Sequence, residues 1–260
     1  MSGITETQLG SHISKVMAGG RSFENAFQSV SRMVLGEGFE KVNICGKQTY
    51  DFKAFRQGSK HLIGMHDVIN SFVSYVKDAA EGGSSQEMAF VLVGEPGYGK
   101  TFFVDYLCAL YRRFLRLEKN AKFSFAFTGL DQLGNGFGKI SEIESQTYED
   151  PMLLAMNVLG DKDESFEWLA RNFGFSDEKL GMLERSYRPL GACSGYTWNR
   201  ILERYDYDPQ KALEHIRVFR VPLVESMGTI TGKYPAKDKI TSSSVDLLGE
   251  VSIQRMLHIT

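Results

Sequence analysis

The octapeptide Gly94-Glu95-Pro96-Gly97-Tyr98-Gly99-Lys100-Thr101 matches G-x-x-x-x-G-K-[ST] at every fixed position. Each residue type has a chemical reason to stand where it does. Glycines at 94, 97 and 99 let the backbone turn successive N–H groups inward as a cradle for phosphate oxygens. A lysine at 100 reaches the β and γ phosphates of a nucleotide, and the Thr101 hydroxyl is placed to ligate Mg²⁺. A helix beginning there adds its partial positive charge. The spacing therefore predicts an ATP phosphate site over residues 94–101, with Mg²⁺ as its companion ion.

Turnover of ATP also requires a carboxylate at the end of a second strand, where it holds the metal and polarises water. Val221-Pro222-Leu223-Val224-Glu225 comes nearest to four apolar residues followed by an acid, broken by its proline. Asp246 follows Val245, with only serines before it. Glu225 and Asp246 are the two candidates, and both read more readily as surface acids. Other clusters carry less. Gly134, Gly136 and Gly138 lack the G-x-G-x-x-G spacing and read as a loop. Asp161, Asp163 and Ser165 begin like a calcium loop, but Phe166 stands where glycine is needed and Asn172 where glutamate is needed. Cys193 and Ser194, with His215 downstream, lack any nucleophile-elbow or cysteine-protease surround and read as packing residues.

A phosphate loop must be held by a strand before it and a helix after it. Met88–Val93 is a continuous apolar run, which predicts a strand buried on both faces. Beyond the loop, Phe103, Leu107, Leu110 and Phe114 form one helical seam, and Val104, Cys108, Tyr111 and Leu115 form the next. Arg112, Arg113 and Arg116 fall where a helix C-terminus favours cations. Phe123, Phe125 and Phe127 then alternate as in a strand. Strand, loop, helix and strand together predict a parallel α/β sheet with a right-handed crossover. Upstream, Met65, Val68, Ile69, Phe72, Val73 and Val76 mark a strong amphipathic helix. A shorter helix carries Phe23, Phe27, Val30 and Val34 and ends near Gly36; the first twenty residues read as a polar arm. Downstream, helices are predicted near 152–158, 164–173, 177–184, 196–205 and 209–216, and a strand over 218–224.

The chain has 260 residues, with 30 Lys plus Arg against 32 Asp plus Glu. That near balance argues against broad electrostatic binding of nucleic acid. With 42% apolar and 24% charged residues the composition is that of a folded globular protein rather than a disordered one. No apolar run reaches the 18 or so residues needed to span a bilayer, so no membrane partner is expected. Cys45, Cys108 and Cys193 are widely spaced, without a CxxC pair, which suits a reducing, cytoplasmic setting.

Beyond the octapeptide, the chain resembles the N-terminal ATPase region of the PrkA family of serine protein kinases. His61-Leu62-Ile63-Gly64-Met65 is similar to the family's opening segment, which implies that Ile63 and Gly64 lie on the adenine side. Tyr148-Glu149-Asp150-Pro151-Met152 resembles its E-x-P-L segment, and Leu190–Tyr205 with Val218-Phe219-Arg220 its later helix and strand. Glu225 through Pro235, Asp238-Lys239 and Leu248-Gly249-Glu250 resemble a stretch rich in glycine, proline and Asp-Lys. The chain departs at Gly228, where the family carries arginine, and at Ile230–Tyr234, where a G-x-G-T-F-like turn is expected. Family members also continue beyond this length.

The resemblance implies an AAA-type parallel sheet with a helical N-terminal extension and a helical insertion. Residues 1–60 would be the arm and extension, and 61–260 the P-loop domain, incomplete at its C-terminus. It further implies ATPase or serine protein kinase activity, a protein substrate and a homo-oligomeric ring. Two alternatives stand beside it: a catalytically inert nucleotide-binding or interaction module, and an unrelated small P-loop phosphotransferase.

Overall fold

The computed structural model describes residues 7–57, 62, 64–134 and 137–224. In chain order these form α1 (Gln8–Met17), α2 (Ala26–Gly36), β1 (Phe39–Ile44), β2 (Lys47–Phe52), α3 (His66–Ala80) and α4 (Lys100–Phe114). There follow β3 (Phe123–Thr128), β4 (Glu142–Glu144), α5 (Pro151–Ala155), α6 (Lys162–Phe173) and α7 (Asp177–Glu184). The last elements are α8 (Ala192–Arg204), α9 (Pro209–Ala212) and β5 (Ile216–Arg220). The chain divides into two compact units: Ser22–Asn120, and Met1–Arg21 together with Ala121–Thr260.

In the unit Ser22–Asn120, α2 starts at a reciprocal cap. Asn25 Oδ1 accepts from Gln28 N (2.9 Å) and Gln28 Oε1 accepts from Asn25 N (3.0 Å), satisfying two helix-end donors at once. β1 and β2 form an antiparallel hairpin from Phe39↔Phe52 to Ile44↔Lys47. Its two-residue turn is Cys45-Gly46, at φ 50° and φ 80°. Positive φ at both positions is the type I′ arrangement that matches strand twist. Asn70 on α3 seals the outer edge of β2, accepting from Tyr50 N and donating to Tyr50 O (3.2 and 2.7 Å). α3 buries Ile69, Phe72, Val73, Val76 and Ala79 along the predicted stripe. Phe72 meets Phe103 of α4 edge to face at 5.4 Å, and Phe55 stacks on Phe103 at 6.0 Å.

The second unit is built on a three-stranded sheet in the order β4-β3-β5. β3 runs antiparallel to β4, pairing Ala126↔Glu144, and antiparallel to β5, pairing Phe125↔Val218. Phe125, Phe127 and Trp198 are fully buried beside it, with Trp198 stacked on Phe127 at 6.4 Å. Trp198 Nε1 donates to Val158 O (3.1 Å), so the indole is buried without losing its hydrogen bond. Asp150, Asp161, Ser176 and Asp208 cap α5, α6, α7 and α9 in turn. The residues read as a polar arm form α1 instead, which buries Leu9 and Ile13 and packs on β5 and α5.

The parallel AAA-type sheet expected from the sequence is not seen; both sheets are small and antiparallel. Both hydrogen-bonding edges of β3 are taken, by β4 on one side and β5 on the other, leaving no edge for a crossover partner. Met88–Val93 forms no strand among the described residues: Met88 is a bend and 89–93 are irregular. Nor is it buried on both faces. Val91 is 71% exposed and Val93 91%.

Candidate functional site

Residues 94–101 lie in the unit Ser22–Asn120, between the unpaired segment and α4. Gly97 (φ +90°) and Gly99 (φ +77°) both use the left-handed region, where a side chain is strained. Gly94 does not. Glu95, Pro96, Gly97 and Tyr98 are exposed. Tyr98 N donates to Glu95 O (3.4 Å), closing the turn.

α4 begins directly at Lys100, and its first helical bond runs from Phe103 N to Gly99 O (2.8 Å). The N–H groups of Lys100, Thr101 and Phe102 have no acceptor within the helix, and no side chain caps this end. The Lys100 ammonium folds back over the loop, donating to Gly94 O (2.6 Å) and Glu95 O (2.7 Å). A cation held by two loop carbonyls and three uncapped donors therefore lie at one exposed turn. Thr101, at the second helical position, is exposed. Such a set is complementary to a polyanion.

The segment predicted to flank the adenine reaches this loop through Met65. A Cβ placed on Gly99 would lie 3.5 Å from Met65 Sδ. Gly64 precedes it in the left-handed region (φ +76°) and is exposed. Ile63, Glu225 and Asp246 lie outside the described residues.

The other unit holds two buried polar clusters that the sequence reading did not anticipate. Glu149 is 7% exposed and accepts from Gly191 N (2.7 Å), Ser145 Oγ (3.0 Å) and Ser194 Oγ, tying the approach to α5 onto the start of α8. Burial first, and then the Glu149 charge, push the neighbouring Cys193 thiol up from its ordinary range. Cys193 is thus held as a thiol, and Ser194 is spent as a donor; neither is poised as a nucleophile. In the second cluster Arg21 Nη1 donates to His12 Nδ1 (2.8 Å), so the ring proton sits on Nε2, 3.9 Å from Asp150 Oδ1. The Arg21 guanidinium lies 3.7 Å over the Phe123 ring. Burial chiefly, with the Arg21 and Lys15 charges, lowers His12 to about 3. Burial raises Asp150 to about 6 against the opposing Met152 N–H, Lys122 and Arg188. Glu149 meets Gly191 and Ser194 across 42 and 45 positions, and His12 meets Asp150 from still farther along the chain; no spacing rule links residues so far apart, which is why neither cluster was legible.

The acids that opened like a calcium loop are structural. Asp161 accepts from Glu164 N (3.1 Å), and Ser165 Oγ donates to Asp161 O (2.6 Å). Among the described residues no group of three or more His, Cys, Asp or Glu is arranged to hold a metal. Among them, too, no helix is long and apolar enough to cross a membrane. Comparison with family models, curated proteins and solved structures finds no match.

Proposed function

We propose that the chain binds the phosphates of ATP at Gly94–Thr101. The observation that carries this is the pairing of a lysine ammonium held only by loop carbonyls with a helix start whose N–H groups are uncapped. On binding, Lys100 exchanges its two carbonyl acceptors for phosphate oxygens, which are stronger acceptors because they are charged. The N–H groups of Lys100, Thr101 and Phe102 gain the acceptor they lack. Gly97 and Gly99 keep the turn free of side chains. Mg²⁺ would be held by the Thr101 hydroxyl together with phosphate oxygens, and would neutralise charge on the phosphate chain.

The resemblance to the PrkA family supports a cytoplasmic serine protein kinase or ATPase that acts on a protein substrate and assembles as a ring. The scattered cysteines support the compartment. Glu225 and Asp246 are the acids open to the metal-holding role. A second reading is an inert nucleotide-binding module, favoured by Pro222 inside the nearest match to the acidic strand motif. Steady-state phosphate release from ATP separates the two, since turnover above background excludes the inert module.

The binding claim has a direct test. Titration of Mg-ATP by calorimetry should show Lys100→Ala weakening affinity at least tenfold, on the order of the 1.5–3 kcal/mol of a charged hydrogen bond. Equal affinity in wild type and variant would sink the assignment.

A further inference from the structure

Two aromatic rings and a carboxylate surround the ammonium of Lys162, the first residue of α6. Lys162 Nζ lies 5.6 Å from the Tyr187 ring centroid and 5.9 Å from that of Phe166. It donates to Glu184 Oε1 at the end of α7 (2.5 Å). The two rings meet edge to face, 6.1 Å apart at 68°, so they are the walls of a corner rather than a stack. The corner is held from behind. Tyr187 Oη donates to Asn157 Oδ1 (3.2 Å), and Asn157 Nδ2 donates to Leu153 O (2.8 Å) and Arg188 O (3.0 Å). The hydrogen bond given to Glu184 outweighs desolvation and raises Lys162 above the usual lysine range, so the resident group is a cation.

Aromatic faces around an ammonium, with a carboxylate beside them, are the chemistry that recognises quaternary ammonium groups. Lys162 is an imperfect occupant of such a corner. Its distances to the two rings stand near the outer limit of the attraction, about 6 Å from a centroid. Its side chain is 36% exposed, and a primary ammonium is strongly hydrated. An exposed lysine–glutamate pair adds little net stability and costs rotamer freedom to hold. A trimethylammonium sheds water more easily and would set its methyl groups against both rings. We propose that Phe166, Tyr187 and Glu184 bind a quaternary ammonium group, with Lys162 as the resident that the ligand displaces. The proposal does not rest on nucleotide binding.

The probe is choline, titrated with the full chain without nucleotide and followed through broadening of its methyl proton signal. Its carbon isostere, with a tert-butyl group in place of the trimethylammonium, is the uncharged control. Wild type should bind choline saturably and at least fivefold more tightly than the isostere. Lys162→Ala removes the resident cation and should tighten choline at least threefold. In that background Glu184→Gln, an exposed and conservative change, should weaken choline at least threefold and leave the isostere unmoved. Acetylated trimethyl-lysine amide, run beside choline, distinguishes the source. Tighter binding than choline supports a group carried on a protein side chain, and weaker binding supports a free small molecule. No saturable binding of choline, equal binding of choline and isostere, or unchanged choline affinity in either variant would overturn the proposal.

Discussion

Asp150 and His12 are shifted in opposite directions by the same cause, removal from water, and their effects on stability oppose each other. His12 falls from 6.5 to about 3, so between those values the unfolded chain holds the extra proton and stability rises with pH. Asp150 rises from 3.8 to about 6, so across that window the folded chain holds the extra proton and stability falls with pH. From about pH 4 to 6 the two contributions cancel. Asp150→Asn removes one of them while keeping a residue that can cap α5. Its unfolding free energy should then climb relative to wild type, by at most about 1.4 kcal/mol per pH unit over that range. Urea melts at pH 4, 5 and 6 check this; parallel profiles for the two proteins would refute it. Because 19% of the Asp150 side chain stays exposed, protons reach it without unfolding.

The elements that were legible are those whose signal is local. α3 lies where 3.6-residue periodicity puts it, because an amphipathic stripe needs no knowledge of what covers it. The glycine turn over 94–101 and the helix start at Lys100 are equally local, since they are set within eight residues. Met88–Val93 was misread because apolar composition signals extended backbone but says nothing of partners, which for β3 are supplied by Glu142–Glu144 and Ile216–Arg220. The β1–β2 hairpin was missed for a different reason: its turn is Cys-Gly, not the Asn-Gly or Asp-Gly that announces a type I′ turn. That departure is testable. Cys45 sits at φ 50°, a region asparagine tolerates better, so Cys45→Asn should stabilise by about 0.5–1 kcal/mol. Gly46→Ala meets no atom within 4 Å, so its cost is backbone alone, about 1–2 kcal/mol. Chemical denaturation midpoints moving in opposite directions for the two variants are the expected result.

At the scale of the whole molecule, one unit is written into the chain between two parts of the other. The points of departure and return are neighbours, since Arg21 lies over the ring of Phe123. Joining Arg21 to Ala121 through a short Gly-Ser linker should therefore leave the unit of α1, β3–β5 and α5–α9 able to fold. A cooperative thermal transition with strand signal in circular dichroism is expected, and a non-cooperative melt would show that the division fails. None of this nesting could be read from the sequence, because no composition shift marks residues 21 or 121.

The docking of α1 has a consequence for biosynthesis. Gln8 Oε1 accepts from Val218 N (2.9 Å), across 210 positions of chain. At roughly 5–20 residues per second, a ribosome needs about 10–40 s to make β5 after α1 has been synthesised. Throughout that interval Leu9 and Ile13 lack β5, on which α1 packs, while Ser22–Asn120 is complete and available to fold from about half-way through it. Of the described helices α1 is made first and is among the last to be seated, so its apolar face stays open to chaperones over that interval.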